Sequence, residues 1–236
     1  MRKLTLGMAA ATLLLSGTHL AGAASAQEAP VCGPPGQEVP ATIVGAGTIF
    51  GTSGDDVIVA SGGNDVVFAG DGNDIVCGEG GNDTLDGGKG TDVLAGDPLD
   101  SEPFAPSNGA NNDTVLGGPG DDTLAGLGGD DTLEGGPGAD QLIGMGGVDT
   151  IAGGPGDDTA FGGPLNDVIT GGPDNDTLFG NFGSDAITGG PGDDVIDGDN
   201  PQPPPPGGPP FPPGGNNDTC SGGPGANVVQ NCEITS

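Results

Sequence analysis

Carboxylates are the abundant reactive groups of this sequence, and most of them fall at one spacing. Asp56, Asp65, Asp74, Asp83, Asp92, Asp113, Asp122, Asp131, Asp140, Asp149, Asp158, Asp167, Asp176, Asp185, Asp194 and Asp218 follow one another in steps of nine residues, broken only after Asp92 and Asp194. An ionised carboxylate accepts hydrogen bonds and donates none. Its plausible chemistry is therefore proton transfer or the ligation of hard cations.

Composition removes most competing chemistries. Arg2 and Lys3, the apolar run from Leu4 to Leu15 and the small residues ending in Ala24-Ser25-Ala26 read as a secretory signal peptide over residues 1–26, too short in its apolar core to span a bilayer. Ala29-Pro30-Val31 before Cys32 is unlike a lipid-attachment box, so release or wall association is expected. Cleavage would remove Arg2, Lys3 and His19, leaving Lys89 as the one cation against 34 acidic residues. Such a chain has nothing with which to neutralise phosphates, which excludes nucleic acid as a partner. Without histidine it offers no Ser-His-Asp triad and no His-based zinc site. With 53 glycines and no Trp or Tyr, it would be assigned to disorder on composition alone.

The period overrides that assignment. Its clearest copy is Gly117-Gly118-Pro119-Gly120-Asp121-Asp122-Thr123-Leu124-Ala125, and seventeen copies run from Gly51 to Gln230, the last with Asn227 in the aspartate's place. Numbered one to nine, positions one to six carry turn residues and positions seven to nine read as a short strand. Position eight is apolar: Ile58, Val67, Val76, Leu85, Leu94, Val115, Leu124, Leu133, Leu142, Ile151, Ala160, Ile169, Leu178, Ile187, Ile196, Cys220 and Val229. Alternation puts that residue on one face and positions seven and nine on the other. The strands must then stack in parallel to pool a core.

A second period is superimposed on the first. Counted from Gly51, odd copies have glycine at position two in eight of nine cases, and Pro119, Pro137, Pro155, Pro173, Pro191 and Pro224 at position three; even copies mostly have neither. The repeat is therefore eighteen residues, with two short strands and two turns per coil. The expected fold is all-β: a parallel β-roll, a flattened β-solenoid. Insertions at about 98–109 and 201–215 enter even turns and so lie on the same edge; the second, with Pro203-Pro204-Pro205-Pro206, reads as polyproline II. Residues 27–50 read as an extended leader followed by a degenerate first coil with Gly47 where aspartate belongs, 51–230 as the roll, and 231–236 as a C-terminal cap.

Stacked carboxylates with no counter-charge repel one another, so a compact form demands bound cations. Carboxylate and carbonyl oxygens in irregular turns suit Ca²⁺ better than octahedral Mg²⁺. Ordering nine residues also costs several times what burying one aliphatic side chain returns. Folding is accordingly expected to be coupled to calcium, at no more than about fifteen ions if each sits between neighbouring turns of one edge.

Gly-Gly-x-Gly-x-Asp-x-U-x, where U is a large apolar residue, resembles the hemolysin-type (RTX) calcium-binding repeat, and the likeness covers about residues 51–230. It implies a β-roll in which the sixteen aspartates above ligate Ca²⁺ together with turn carbonyls such as those of Gly118, Gly120, Gly136, Gly138, Gly154 and Gly156. The cleavable signal and the lack of a catalytic or pore-forming segment set the chain apart from toxins and proteases that carry this repeat. No enzyme activity is expected.

The four cysteines allow three pairings. Proximity favours Cys32 with Cys77 and Cys220 with Cys232. Thr84, Thr114, Thr123, Thr132, Thr150, Thr159 and Thr177 at position seven read as outward strand residues. Phe68, Phe161 and Phe179 at position nine are exposed aromatics, and Phe104 and Phe211 in the insertions are the better candidates for a partner contact. The leading expectation is a secreted calcium-binding structural or interaction module. A surface or matrix adhesin gripping a glycan or protein through the insertions is the alternative, and a glycan-active accessory using acids such as Glu102 is third.

Overall fold

The computed structural model describes residues 31–32, 39–98, 111–199 and 218–234. The expected signal peptide, both insertions, Glu102, Phe104 and Phe211 lie outside the described residues.

Positions seven to nine form strands throughout, for example Val57–Val59, Ile75–Cys77 and Thr132–Glu134. Strands from odd copies build one ten-stranded sheet and strands from even copies another, and neighbours pair in parallel within each. Across most of the roll a residue pairs with the one eighteen places on, as Leu124 does with Leu142 and Leu133 with Ile151. At the two interruptions the partner of Thr84 is Thr114 and that of Ala186 is Thr219. The extra residues thus enter ahead of strands of the same sheet and leave its register intact.

The interior is the position-eight column of each sheet. Ile58, Val76, Leu94, Leu124, Leu142, Ala160, Leu178 and Ile196 face Val67, Leu85, Val115, Leu133, Ile151, Ile169, Ile187 and Cys220 in one continuous cluster, all at most 1% exposed. Dispersion and apolar transfer are concentrated in this narrow seam. At the start, Ile43–Val44 and Thr48–Phe50 each add a strand to one sheet, and at the end Glu233–Ile234 pairs with Thr219–Ser221. The degenerate first coil therefore belongs to both ladders despite Gly47.

The leader is not simply extended. Val31–Cys32 pairs antiparallel with Val39–Pro40. Cys32 is bonded to Cys77, and a second apolar cluster of Cys32, Val59 and Cys77 gathers Ala41, Val57 and Ile75 around it. Val59 and Cys77 at position nine should face solvent by alternation, yet they are buried under this cover. The other disulfide joins Cys220 to Cys232 across the last coil.

Ladder bonding does not stop where the strand pattern does. On the odd edge the N–H groups at positions one, two and four also donate to the next coil: Gly117 to Glu134, Gly118 to Gly135 and Gly120 to Pro137. Two strands that lead into odd turns accordingly extend to six residues, Val66–Asp71 and Thr84–Lys89. Position three contributes only its carbonyl to this pattern, so proline, which lacks an N–H, fits there.

Backbone angles explain the eighteen-residue alternation. At position two of odd copies φ reaches 104° at Gly118 and 133° at Gly172, values that only glycine adopts readily. Even copies hold Glu79, Leu127, Met145 and Asn181 at φ 72–80°, a left-handed conformation that side chains tolerate at modest strain. The tightest requirement is at position four. Gly120 has φ 151°, and a Cβ there would stand 1.4 Å from the Gly90 carbonyl oxygen. Gly120→Ala should destabilise the roll by at least the roughly 1–3 kcal/mol of such backbone strain, measured as a several-fold higher calcium midpoint for strand formation; an unchanged midpoint would refute this packing.

Candidate metal centre

Each position-six aspartate is fixed at both its ends. From Asp56 to Asp185 its own N–H donates to the Oδ1 of the aspartate one coil later, as Asp56 does to Asp74, Asp122 to Asp140 and Asp167 to Asp185, all at 2.8 Å. These bonds run unbroken through both edges. They hold every carboxylate at a fixed angle to the stack.

The other oxygen is different. In Asp74, Asp83, Asp92, Asp113, Asp122, Asp131, Asp140, Asp149, Asp158, Asp167, Asp176, Asp185, Asp194 and Asp218, Oδ2 is buried and has no hydrogen-bond partner. A buried carboxylate oxygen without a partner is strongly destabilising unless a cation meets it. From Asp83 onward the space beside it is kept open by glycine at position one, whereas Ala69 stands there beside Asp74. A Cβ on Gly117 would lie 2.6 Å from both Asp122 Oδ2 and the carbonyl oxygen of Gly135 in the next coil, and Gly144 sits in the same way between Asp149 Oδ2 and the Gly162 carbonyl.

Electrostatics mark the same atoms. Burial is the main cause that lifts the carboxyls of Asp83, Asp92, Asp113, Asp122, Asp131, Asp158 and Asp167 above the ordinary range near 3.8, opposed by the backbone N–H bond and reinforced by the negative charge of stacked neighbours. Asp83, Asp92 and Asp122 are pushed up to about 6, Asp131 and Asp158 to about 7, Asp113 to about 8 and Asp167 to about 9. At neutral pH a bare stack must therefore take up protons or cations.

The donor set fits Ca²⁺. Among the described residues no group of three His, Cys, Asp or Glu side chains converges on one point. Any ion here is held by few carboxylates and many carbonyls, the kind of irregular oxygen shell calcium accepts and magnesium resists. The carbonyls named from sequence, those of Gly118, Gly120, Gly136, Gly138, Gly154 and Gly156, line the odd edge. There the Gly118 oxygen would lie 2.4 Å from a Cβ on Gly136, and the Gly120 oxygen 1.6 Å from one on Gly138. Position-one carbonyls such as that of Gly135 border the same space at Gly117 as the orphaned oxygen of Asp122, and the sequence reading did not single them out.

It also missed a second, outer ladder at position five. There the side-chain oxygen of Asp55, Asn64, Asn73, Asp121, Asp130, Asp157 or Asp193 accepts the N–H of the residue one coil later, as from Asn73 to Asp55 and from Ala139 to Asp121, each at 2.9 Å. The repeated Asp or Asn before the invariant aspartate was its visible signal. Its bonds run opposite to those at position six, so each turn is stitched in both directions.

Three copies depart from the pattern. The Oδ2 of Asp56 accepts from the Thr52 N–H and hydroxyl at 2.7 and 2.8 Å, and that of Asp65 from the Ser61 N–H and hydroxyl, both at 2.8 Å. Although burial raises the Asp65 carboxyl, the Gly47 N–H and the Ser61 donors outweigh it and hold it below the usual value. In the last copy the Asn227 oxygen accepts the Asp194 N–H at 2.8 Å, while its amide nitrogen donates to the Gly223 carbonyl.

The fold and this geometry define a class: a parallel β-roll whose two edges are lined by regularly repeated, carbonyl-rich carboxylate turns. The RTX calcium-binding nonapeptide repeat family matches residues 44–76, 78–98, 107–142, 134–169, 143–178 and 170–200, and the chain belongs to that family. No curated relative matches the chain. It is a calcium-binding structural or interaction module. No helix among the described residues is long and apolar enough to cross a membrane.

Proposed function

We propose that this protein is secreted and folds outside the cell as calcium fills the turns of both edges, giving a rigid rod that presents its outer faces to partners. The observation that carries this reading is the column of fourteen buried, partnerless Oδ2 atoms. Those fourteen aspartates hold the ions together with position-one, -two and -four carbonyls of adjacent turns, which sets a ceiling of fourteen Ca²⁺. Bound calcium supplies the positive charge that lets neighbouring carboxylates approach, and the aspartates orient the turns around it. Export reconciles a weak, carbonyl-rich site with the millimolar calcium it needs.

Calorimetric counting tests the assignment. The wild type should take up many ions per chain. Asp131→Asn keeps the oxygen that accepts the Asp113 N–H but puts an amide donor at the outer position, as Asn227 does naturally, and should lower the count by one. An unchanged count would remove Asp131 from the ligand set.

The adhesin reading is favoured by one observation. Phe50 and Phe68 stack at 5.4 Å on one sheet and are 67% and 39% exposed, and Phe161 and Phe179 stack at 4.9 Å on the other. Glycan-array or pull-down binding that survives Phe50→Ala with Phe68→Ala would count against these surfaces as the contact.

A further inference from the structure

Asp56 and Asp65 differ from the rest of the ladder in a way that concerns how the roll begins. Both oxygens of each carboxylate are satisfied by the protein itself. Asp56 takes the Thr52 N–H and hydroxyl on one oxygen and the Thr42 hydroxyl, at 3.3 Å, on the other. Asp65 takes the Ser61 N–H and hydroxyl on one and the Gly47 N–H on the other. The donors sit at position two, and Thr52 and Ser61 are the only hydroxyl residues there in the seventeen copies. Gly47, in place of an aspartate, offers an N–H and adds no charge.

The same end of the roll carries a disulfide together with an outer apolar cover, the latter found nowhere else among the described residues. The Cys32–Cys77 disulfide ties the leader to the third copy. The second apolar cluster then buries Val59 and Cys77 on the outer face of the sheet, giving these strands cores on both sides. Charge, apolar burial and a covalent link thus all favour order here without an ion.

We propose that the N-terminal copies, from the Thr48–Phe50 strand to Phe68 with the disulfide-tied Ile75–Cys77 strand beside them, are a calcium-independent seed, and that calcium-dependent turns, beginning with that of Asp74, add to its open edge in chain order. The Asp56 and Asp65 turns are closed by Thr52 and Ser61 in place of an ion. Their N–H groups already donate to Asp74 and Asp83, so the seed positions the first carboxylates that have an orphaned oxygen. Each added coil then finds its template made, which removes the nucleation step that a uniform array of empty sites would face. The proposal rests on the calcium reading above.

Hydrogen exchange followed by mass spectrometry on the full, disulfide-intact chain tests it. In chelator at neutral pH, amides of 48–50, 57–68 and 75–77 should exchange about 100-fold or more slowly than in an unfolded chain, whereas those of 114–188 should exchange as if unfolded. With calcium both regions should be protected. Thr52→Gly combined with Ser61→Gly should abolish the chelator-resistant protection and raise the calcium count above that of the wild type. Exchange of 48–50, 57–68 and 75–77 as fast as the remainder in chelator would overturn the seed and leave the calcium reading standing. Protection of both regions in chelator would overturn the calcium coupling itself, and the seed with it.

Discussion

Stripped of calcium at pH 7.5, the protein should lose most of its strand signal in circular dichroism and expand toward the roughly 50 Å radius of gyration of an unfolded chain of this length; millimolar calcium should restore both. The expected change is most of the signal, because every coil beyond the N-terminal copies depends on the same balance. Each half-coil buries one position-eight side chain, such as Leu124 or Ile169, and orders nine residues to do so. Fourteen of them also confine a carboxylate whose outer oxygen is satisfied by no protein group. Binding free energy is then folding free energy. A chelated sample that kept its strand signal and compact radius would show that the seam of aliphatic side chains suffices alone.

Acid should partly replace the metal. In the calcium-free protein the coil holds Asp83 and Asp122 at about 6, Asp131 and Asp158 at about 7 and Asp167 at about 9, against about 3.9 in an unfolded chain. Since these folded values are raised, the folded form binds more protons than the unfolded form between those limits. The resulting stability is fully present below about pH 4 and is lost as pH climbs through about 6 to about 9. A calcium-free sample should therefore gain strand signal between pH 7.5 and pH 4, with light scattering used to exclude aggregates. With calcium the sign reverses, because ligation needs the ionised carboxylate and protons compete for it. Equal strand content at pH 4 and 7.5 without calcium would refute burial as the cause of the raised values.

Much of the architecture was legible in the sequence for a specific reason. When every strand pairs with its own repeat, register is set by the period, and position eight can be identified as interior from alternation. The two edges were legible too, because glycine at φ 104–133° and left-handed Leu127 or Met145 demand different residues at position two. The leader was harder. Two-residue strands such as Val31–Cys32 and Val39–Pro40 leave no periodic trace, and the burial of Val59 and Cys77 depends on what lies over them.

By itself the sequence determined the nine- and eighteen-residue frames, the apolar seam, the hard-oxygen character of the turns and the absence of groups for most other chemistry. These follow from residue type and period, which are one-dimensional properties. Tertiary structure alone decided which carboxylate oxygen is left over. Asp56, Asp65 and Asp122 occupy the same position of the repeat, yet the first two meet hydroxyl and amide donors while the Asp122 Oδ2 faces the space kept by Gly117 and the Gly135 carbonyl. The difference arises because a carboxylate's partners come from its own turn, the coil before and the coil after, a set that exists only once the coils are stacked.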